Sequence, residues 1–116
     1  MKTMHYKDVP PTLFNNDMAR NVAGRVMIGK DDGEPNFCMR VFELGENGHT
    51  PMHTHDWEHE IFVHAGEGAV FDDGTWKDVV PGMAVFIPGN VVHQIKNTGA
   101  SPLVVVCLLP EGAPEL

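Results

Sequence analysis

Closely spaced glycines and prolines are the feature that most limits how this chain can fold. Twelve Gly and nine Pro divide the 116 residues into short apolar stretches. Gly and Pro interrupt helices and favour turns, whereas the β-branched and aromatic residues within the stretches favour strands. The pattern predicts an all-β sandwich or barrel of short antiparallel strands.

Nine stretches have the composition of strands. The predicted strands are Val22 to Ile28, Phe37 to Leu44, Thr50 to His55, Glu60 to Ala65, Ala69 to Phe71, Trp76 to Val79, Ala84 to Ile87, Val91 to Lys96 and Leu103 to Leu109. The turns Asp73-Gly74 and Asn97-Thr98-Gly99 lie between strands and tolerate a positive φ, so each predicts a hairpin.

The remaining segments are predicted to be short or irregular. A helical turn is expected only around Leu13 to Met18, after two prolines. The tails, Met1 to Thr12 and Glu111 to Leu116, are expected to fray, with pairing of the first tail to a second subunit as an alternative.

Composition and charge narrow the class of protein. Hydrophobic residues make up 42% of the chain and charged residues 21%, as in an ordinary globular protein. A chain of 116 residues supports one hydrophobic core, so we expect a single domain over residues 1–116. Sixteen acidic against eight basic side chains give a net charge of -8, which disfavours nucleic acid and anionic membranes as partners.

The sequence gives no support for secretion or membrane insertion. Residues Met1 to Tyr6 contain no apolar core of a signal peptide, and no run of apolar residues is long enough to span a bilayer. The expected compartment is therefore the cytoplasm. Cys38 and Cys107 lie in apolar stretches and form no CxxC pair, so we expect both to be reduced and buried.

Four histidines form the most specific chemical pattern in the chain. His53, His55 and His59 lie close together, and His93 follows later, after Pro88. Neutral imidazole is the commonest protein ligand of transition metals, and residues two apart on a strand share a face. The sequence therefore predicts a metal site formed by these four residues. The alternatives are exposed histidines that bind nothing and a closed, structural zinc site.

The first three histidines lie in a stretch that resembles the first sequence motif of the cupin family, G-x5-H-x-H-x3,4-E-x6-G. The matching residues are Gly48, His53, His55, then His59 or Glu60, and Gly66. Gly48 lies one residue closer to the first histidine than the motif requires. This motif covers about residues 48–66.

The fourth histidine lies in a stretch that resembles the second cupin motif, G-x5-P-x-G-x2-H-x3-N. Gly82, Pro88, His93 and Asn97 match it with every spacing intact, over about residues 82–97. Asn90 replaces the last glycine, and Asn best tolerates the left-handed backbone that glycine permits. The resemblance implies a small, single-domain cupin with an antiparallel jelly-roll barrel, also called a double-stranded β-helix.

The third metal ligand has two candidates, because cupins usually place a glutamate where this chain has His59 followed by Glu60. Adjacent residues face opposite sides of a strand, so an inward His59 places Ile61 and Val63 inside and turns Glu60 outward. An inward Glu60 instead brings the bulky Phe62 into the cavity. We favour His59 as the ligand and keep Glu60 as the alternative.

Four neutral nitrogen ligands leave the full charge on a bound ion, so the site is expected to favour anionic ligands. The arrangement resembles the four-histidine branch of the cupins, which implies manganese and oxidative chemistry. Iron, nickel, zinc and copper are alternatives. In octahedral coordination, four protein ligands leave two positions for water, substrate or dioxygen.

The alternation of strand residues also predicts the pocket wall. If His93 faces inward, so does Ile95, and on the last strand Val105 and Cys107 share that side. An apolar lining follows.

For the strand from Phe37 to Leu44, the sequence does not decide which of the two faces points into the pocket. Arg40 and Phe42 share one face, and Met39 and Val41 share the other. An inward Arg40 can pair with a substrate carboxylate, whereas an outward Arg40 is a surface cation. Arg40 and Cys107 are the candidate catalytic residues.

These features predict a metal-dependent oxidoreductase, such as a dioxygenase or a peroxide-dependent enzyme, that acts on a small organic substrate. One alternative is a non-catalytic module that anchors an anion through the same ion. Another is an isomerase or decarboxylase, for which the inner faces supply no carboxylate once Glu60 faces outward. By analogy with other small barrels, which expose sheet edges and faces that pair, we expect a homodimer.

Overall fold

The described residues, 1–33 and 36–116 of a computed structural model, form nine strands and two short 3-10 helices. The 3-10 helices are Tyr6–Asp8 and Lys30–Asp32. The strands are β1 (Thr12–Phe14), β2 (Arg20–Ile28), β3 (Phe37–His49), β4 (His59–Ala65), β5 (Gly68–Asp72), β6 (Thr75–Val79), β7 (Ala84–Ile87), β8 (His93–Asn97) and β9 (Leu103–Pro110). The pairings between these strands are antiparallel, and the all-β prediction is confirmed.

The strands form one sheet in the order β6-β5-β8-β3-β9-β4-β7, with β2 paired to β3 and β1 paired to β2. The sheet curls, so that the inner faces of strands distant in this order meet. Ile61 of β4, Val70 of β5 and Ile95 of β8 belong to one buried apolar cluster. This cluster fills part of the barrel interior.

A second apolar cluster lies on the outer face of the sheet. Met27, Val41 and Val104 are buried there, and Tyr6 and Val9 of the N-terminal segment pack over them. Covering these side chains removes apolar surface from water, which holds the segment against its own chain. Tyr6 and Val9, which lie in the tail predicted to fray, are therefore packed against the sheet, whereas Met1 to His5 are exposed.

The C-terminal tail also contacts the body of the protein. The carboxylate of Glu115 accepts a hydrogen bond of 2.8 Å from the backbone N–H of Lys30, and the Glu115 carbonyl oxygen lies 3.3 Å from Nη1 of Arg40. These polar contacts join the tail, which is predicted to fray, to the 3-10 helix Lys30–Asp32 and to β3.

Strand β1 occupies part of the segment that was predicted as a helical turn around Leu13 to Met18. Phe14 pairs with Val22 of β2, and its side chain packs against the barrel core. Asn16 then reverses the chain by accepting a hydrogen bond of 2.8 Å from the N–H of Met18 through its side-chain oxygen. Burial of Phe14 thus decides the structure of this segment.

The segment from Thr50 to His55, predicted as a strand, is irregular apart from one bridge between His53 and His93. Strand β3 instead continues to His49. Pro51 follows within two residues, and proline has no N–H to donate to a strand ladder.

The Asp73-Gly74 turn is confirmed as a hairpin. Its two residues have φ values of 46° and 91°, and it joins the paired strands β5 and β6. Both residues adopt the left-handed backbone that Asp and Gly tolerate best.

The Asn97-Thr98-Gly99 turn is not a hairpin, because β8 and β9 lie on either side of β3 rather than beside each other. The buried side chain of Asn97 donates to the carbonyl oxygens of Leu44 at 2.9 Å and Ser101 at 2.9 Å. Asn97 of the second motif therefore fastens the end of β8 to β3 and is structural in role.

Candidate metal centre

The four histidines converge at one place inside the barrel. One ring nitrogen from each of His53, His55, His59 and His93 lies within 4.8 Å of the others. His59 is the first residue of β4 and His93 the first residue of β8, and the other two lie in the loop before β4. The four side chains lie together, as the sequence predicts.

Backbone contacts hold the loop histidines against β8 and the turn that precedes it. The N–H of His53 donates to the carbonyl of His93 at 3.1 Å, and the N–H of His93 donates to the carbonyl of His53 at 2.9 Å. The carbonyl of His55 accepts a hydrogen bond of 2.7 Å from the N–H of Asn90. Asn90 has a φ of 66°, so it adopts the left-handed conformation that the motif's glycine normally supplies.

Three of the histidines have their ring orientation and tautomer fixed by backbone carbonyls. The Nδ1 atoms of His53, His55 and His93 each lie 2.8 Å from a carbonyl oxygen. A carbonyl only accepts, so each Nδ1 carries the proton and donates, and each Nε2 keeps its lone pair. This is the tautomer in which Nε2 can bind a metal ion.

Three of the four rings, those of His55, His59 and His93, are neutral at neutral pH. Burial, followed by the nearby Arg40 guanidinium and the other rings, lowers the pKa of His59 to about 3. Burial also lowers the pKa values of His55 and His93 below the ordinary histidine value. Neutral rings are the form that ligates metals.

The donor set fits a transition-metal ion. The Nε2 atom of His93 is buried and has no hydrogen-bond partner among the described residues, although an unpaired buried polar atom is costly. A cation shared with the other three rings would satisfy it. The four-histidine cluster could therefore hold a metal ion.

The structure places His59, and not Glu60, in the cluster. Glu60 lies on the opposite face of β4, where burial and then the neighbouring Glu58 raise the pKa of its carboxyl. Ile61 lines the cavity, Val63 belongs to the barrel core, and Phe62 faces outward with 49% exposure. Strand β4 therefore has the alternation that an inward His59 requires.

A cavity of about 440 Å³ lies next to the histidines. Its apolar wall includes all three strand residues predicted to line it with His93, namely Ile95, Val105 and Cys107. Among the described residues that line the cavity there is no Asp or Glu. The cavity is therefore apolar, with the histidines and one arginine as its main polar groups.

That arginine is Arg40, which faces inward with Phe42, while Val41 packs into the outer cluster. Arg40 is only 7% exposed, and its guanidinium carbon lies 4.7 Å from the centroid of the Phe42 ring. Its Nη2 atom lies 3.0 Å from the Sγ atom of Cys107. Its Nε atom has no hydrogen-bond partner within the part of the chain that is described.

Cys107 contacts both Arg40 and the histidine cluster. Its Sγ atom is 3.4 Å from Nδ1 of His59, and the residue is 4% exposed. Burial raises the pKa of the Cys107 thiol, so the sulfur is protonated at neutral pH. The two candidate catalytic residues thus contact each other, and both lie beside His59.

Sequence reasoning missed several lining residues. The Trp57 ring stacks on the His55 ring with centroids 4.1 Å apart and an angle of 5° between the planes. Phe14, Pro114 and Leu116 also line the cavity, although they lie in segments predicted to be helical or frayed. Only the aromatic character of Trp57 and its position two residues from His55 could have indicated one of them.

None of the described helices is both long enough and apolar enough to cross a membrane.

Comparison with known proteins agrees with this architecture. The sequence profile of the Cupin domain matches residues 40–109, which is more than half of the chain. No curated protein sequence gave a match.

Among solved structures, the polyketide cyclase RemF from Streptomyces resistomycificus is 32% identical, with a TM-score of 0.87, over 95% of this chain and 79% of that one. A cupin 2 conserved barrel domain protein from Rhodopseudomonas palustris is 26% identical, with a TM-score of 0.79, over 91% of this chain and 72% of that one. A predicted oxalate decarboxylase from Thermotoga maritima is 20% identical, with a TM-score of 0.83, over 94% and 98% of the two chains, and shares the fold. The matched domain, the barrel and the 32% identity show that this chain belongs to the cupin family.

Proposed function

We propose that this protein is a metal-dependent enzyme whose four-histidine centre binds the oxygen atoms of a small organic substrate inside an apolar barrel. The observation that carries the proposal is the convergence of four imidazoles, within 4.8 Å of one another, beside a cavity of about 440 Å³. The proposed ligands are His53, His55, His59 and His93.

The proposed ion is manganese, on the basis of the resemblance to four-histidine cupins. Imidazole ligands alone equally suit iron, nickel, zinc and copper. A closed, structural zinc site is disfavoured because the ligands border an open cavity rather than a sealed tetrahedral shell.

Charge favours an anionic substrate. None of the four ligands is an anion, and no acidic side chain is found among the described lining residues to offset the charge of the ion. Arg40 adds a second positive charge and forms no salt bridge with any described acidic residue. A buried, unpaired guanidinium is costly unless an anion reaches it. A carboxylate, phenolate or enolate satisfies both positive groups.

The residues of the site have separate roles in the proposed mechanism. A bound divalent ion would supply Lewis acidity and, if redox-active, electron transfer. The histidines would hold the ion, and Arg40 would orient an anionic oxygen of the substrate through its planar donors. Apolar side chains such as Ile61, Ile95 and Val105 exclude water, which strengthens each charge interaction in the cavity.

The first proposed reaction class is oxidation of the substrate by dioxygen or peroxide. It is supported by the four-nitrogen donor set, since a six-coordinate ion held by these ligands would still accept an oxygen species and the substrate. It also needs no carboxylate acid or base in the cavity, which agrees with the described lining.

A second candidate is ring closure of a polyketide-like substrate without any oxidant. The specific observation in its favour is the 32% identity to a polyketide cyclase over 95% of this chain. An apolar cavity suits a flat, carbon-rich substrate, and Lewis acidity alone polarises the carbonyl groups that such a ring closure needs.

The test begins with the metal content of the purified protein, measured by plasma mass spectrometry. The loaded protein is then incubated with phenols, alkenes, β-diketones and carboxylates, with and without dioxygen or peroxide, while oxidant consumption and product mass are followed. Oxidation predicts consumption of oxidant in step with product. Ring closure predicts loss of water from the substrate under anaerobic conditions.

Two variants serve as controls for these assays. His53→Ala is expected to abolish both metal content and turnover. His64→Ala changes an exposed histidine outside the cluster and is expected to change neither. If the metal-loaded protein binds anions but transforms no substrate, the protein is a metal-anchored binding module instead.

We also propose that the protein is a homodimer, formed through the outer face of β4 and β7. Phe62 and Phe86 are 49% and 60% exposed on these two neighbouring strands. Adjacent exposed aromatic side chains are typical of surfaces that pair with another protein. Phe86→Glu is expected to convert a dimer to a monomer in analytical ultracentrifugation, and a monomeric wild-type protein would contradict the proposal.

A further inference from the structure

His59 differs from the other three histidines in the partner of its Nδ1 atom. This atom lies 3.4 Å from Sγ of Cys107 and 3.5 Å from Nη2 of Arg40, whereas the other Nδ1 atoms face backbone carbonyls. A carbonyl only accepts and a guanidinium only donates, but a thiol does both. Of the four rings, His59 alone therefore has a partner that allows the proton to lie on either nitrogen.

The contact between His59 and His55 determines where that proton lies before an ion binds. Their Nε2 atoms are 2.9 Å apart, which is a hydrogen-bond distance. His55 donates from Nδ1 to the carbonyl of Trp57, so its Nε2 carries the lone pair. The hydrogen bond therefore requires the proton of His59 on Nε2, and Nδ1 of His59 then acts as an acceptor.

Ion binding requires the opposite arrangement. To ligate a cation, His59 must present a lone pair on Nε2, so its proton must lie on Nδ1. The Nε2 proton leaves to water and Nδ1 takes a proton from water, so the ring stays neutral. The new Nδ1–H then needs an acceptor. Arg40 cannot provide one, but the sulfur of Cys107 can.

We propose that Cys107 is a positioning residue that lets His59 change tautomer when the metal ion binds. Its thiol donates to Nδ1 beforehand, and its sulfur accepts from Nδ1 afterwards. Without this sulfur, Nη2 of Arg40 donates to Nδ1 and holds the proton on Nε2, where it blocks the ion. The inference rests on the proposed metal function and assigns to Cys107 a role other than reaction with substrate.

The strand order explains how Cys107 reaches both residues. Cys107 of β9 pairs with Arg40 of β3 on one side and with Ile61 of β4 on the other. Arg40 Nη2 lies 3.0 Å from Sγ, so the sulfur already accepts from the guanidinium while it also contacts the ring of His59. Strand β9 thus places the sulfur between β3, which carries Arg40, and β4, which carries His59.

The first test follows the tautomer of His59 by long-range proton–nitrogen NMR, with Zn²⁺ as a diamagnetic probe. The proposal predicts a proton on Nε2 in the metal-free protein and on Nδ1 after one equivalent of Zn²⁺. The other three histidines are expected to carry their protons on Nδ1 in both states. A proton on Nδ1 of His59 in both states would overturn the proposal.

The second test compares Zn²⁺ affinity among cysteine variants by calorimetry. Cys107→Ala is expected to weaken binding about 10- to 100-fold, as is usual when the partner of a ligating histidine is removed. Cys107→Ser is expected to keep most of the affinity, because a hydroxyl also both donates and accepts. Cys38→Ala is the matched control, since Cys38 is the other buried cysteine. The Zn²⁺ affinity of this variant is expected to stay at the wild-type value.

The outcomes separate this inference from the function on which it rests. Equal affinities for Cys107→Ala and Cys38→Ala overturn the role of Cys107 and leave the metal site standing. A wild-type protein that binds no divalent ion overturns both. Because the NMR test uses the wild-type protein, it decides the question even if Cys107→Ala fails to fold.

Discussion

The backbones of His53 and His93 exchange two hydrogen bonds, of 3.1 and 2.9 Å, and so join the loop before β4 to the start of β8. This bridge brings together the two sequence motifs. Because it uses backbone atoms alone, it does not depend on either imidazole.

Replacing the imidazoles should therefore remove the metal site without unfolding the barrel. His53→Ala is expected to weaken divalent metal binding by more than about a hundredfold, since losing a ligand costs more than losing an outer partner. Circular dichroism should show unchanged strand content. Full metal occupancy of His53→Ala, at the level of the His64→Ala control, would exclude His53 as a ligand.

The buried histidines make the stability of the metal-free protein depend on pH. The pKa of His59 is lowered to about 3 in the folded state, against about 6.5 in an unfolded chain. Between these values the unfolded state binds a proton that the folded state excludes, so the unfolding free energy falls as the pH decreases from about 6.5 towards 3. His55 and His93 act in the same direction.

Urea denaturation at several pH values measures this effect. The contribution of His59 is expected to reach at most about 1.4 kcal/mol per pH unit below pH 6. His59→Gln, which cannot titrate, should show a correspondingly shallower decline than the wild-type protein. Equal slopes for the two proteins would mean that His59 is not held neutral by the fold.

The stacking of Trp57 on His55 offers a spectroscopic report of metal binding. The two rings are 4.1 Å apart between centroids, whereas Trp76 packs against Phe71 and Lys96. A paramagnetic ion such as Mn²⁺ or Cu²⁺ at the cluster is expected to quench the fluorescence of Trp57 strongly. Trp57→Phe should remove most of the quenching and Trp76→Phe should retain it. Retention of the quenching in Trp57→Phe would place the ion elsewhere.

The unpaired charge of Arg40 leads to a prediction about ligand choice. Arg40→Met keeps most of the side-chain volume and removes the charge, so anion affinity for the metal-loaded protein should fall about tenfold or more while stability stays equal or rises. Arg25→Met, which breaks an ion pair with Glu43 on the outer face, should lower stability and leave anion affinity unchanged. Calorimetry of benzoate binding measures the anion affinity of both variants. An unchanged affinity in Arg40→Met would contradict the role of Arg40.

Strand alternation was sufficient to predict those parts of the site that lie on β4, β8 and β9. His59, Ile61, Ile95 and Cys107 occupy the faces that a period of two assigns to them. The orientation of Arg40 could not be predicted, because β3 is covered on both faces. Its inner residues face the cavity, and its outer residues lie beneath the N-terminal segment.

The parts that sequence reasoning missed depend on irregular or long-range contacts. Trp57 lies in a loop without periodicity, and Phe14 becomes a wall residue only through the pairing of β1 with β2. The turn after Asn97 has the composition of a hairpin, but its strands separate around β3. Local composition predicts a reversal of the chain there without specifying which strands become neighbours.

The most direct test of the central claim is X-ray absorption spectroscopy of the protein loaded with one equivalent of Mn²⁺ or Zn²⁺. Four imidazole nitrogens at metal-ligand distance, reduced to three in His59→Ala and unchanged in Glu60→Ala, are the predicted result. A first shell of oxygen atoms, or an imidazole count that His59→Ala leaves unchanged, would contradict the assignment of this metal centre.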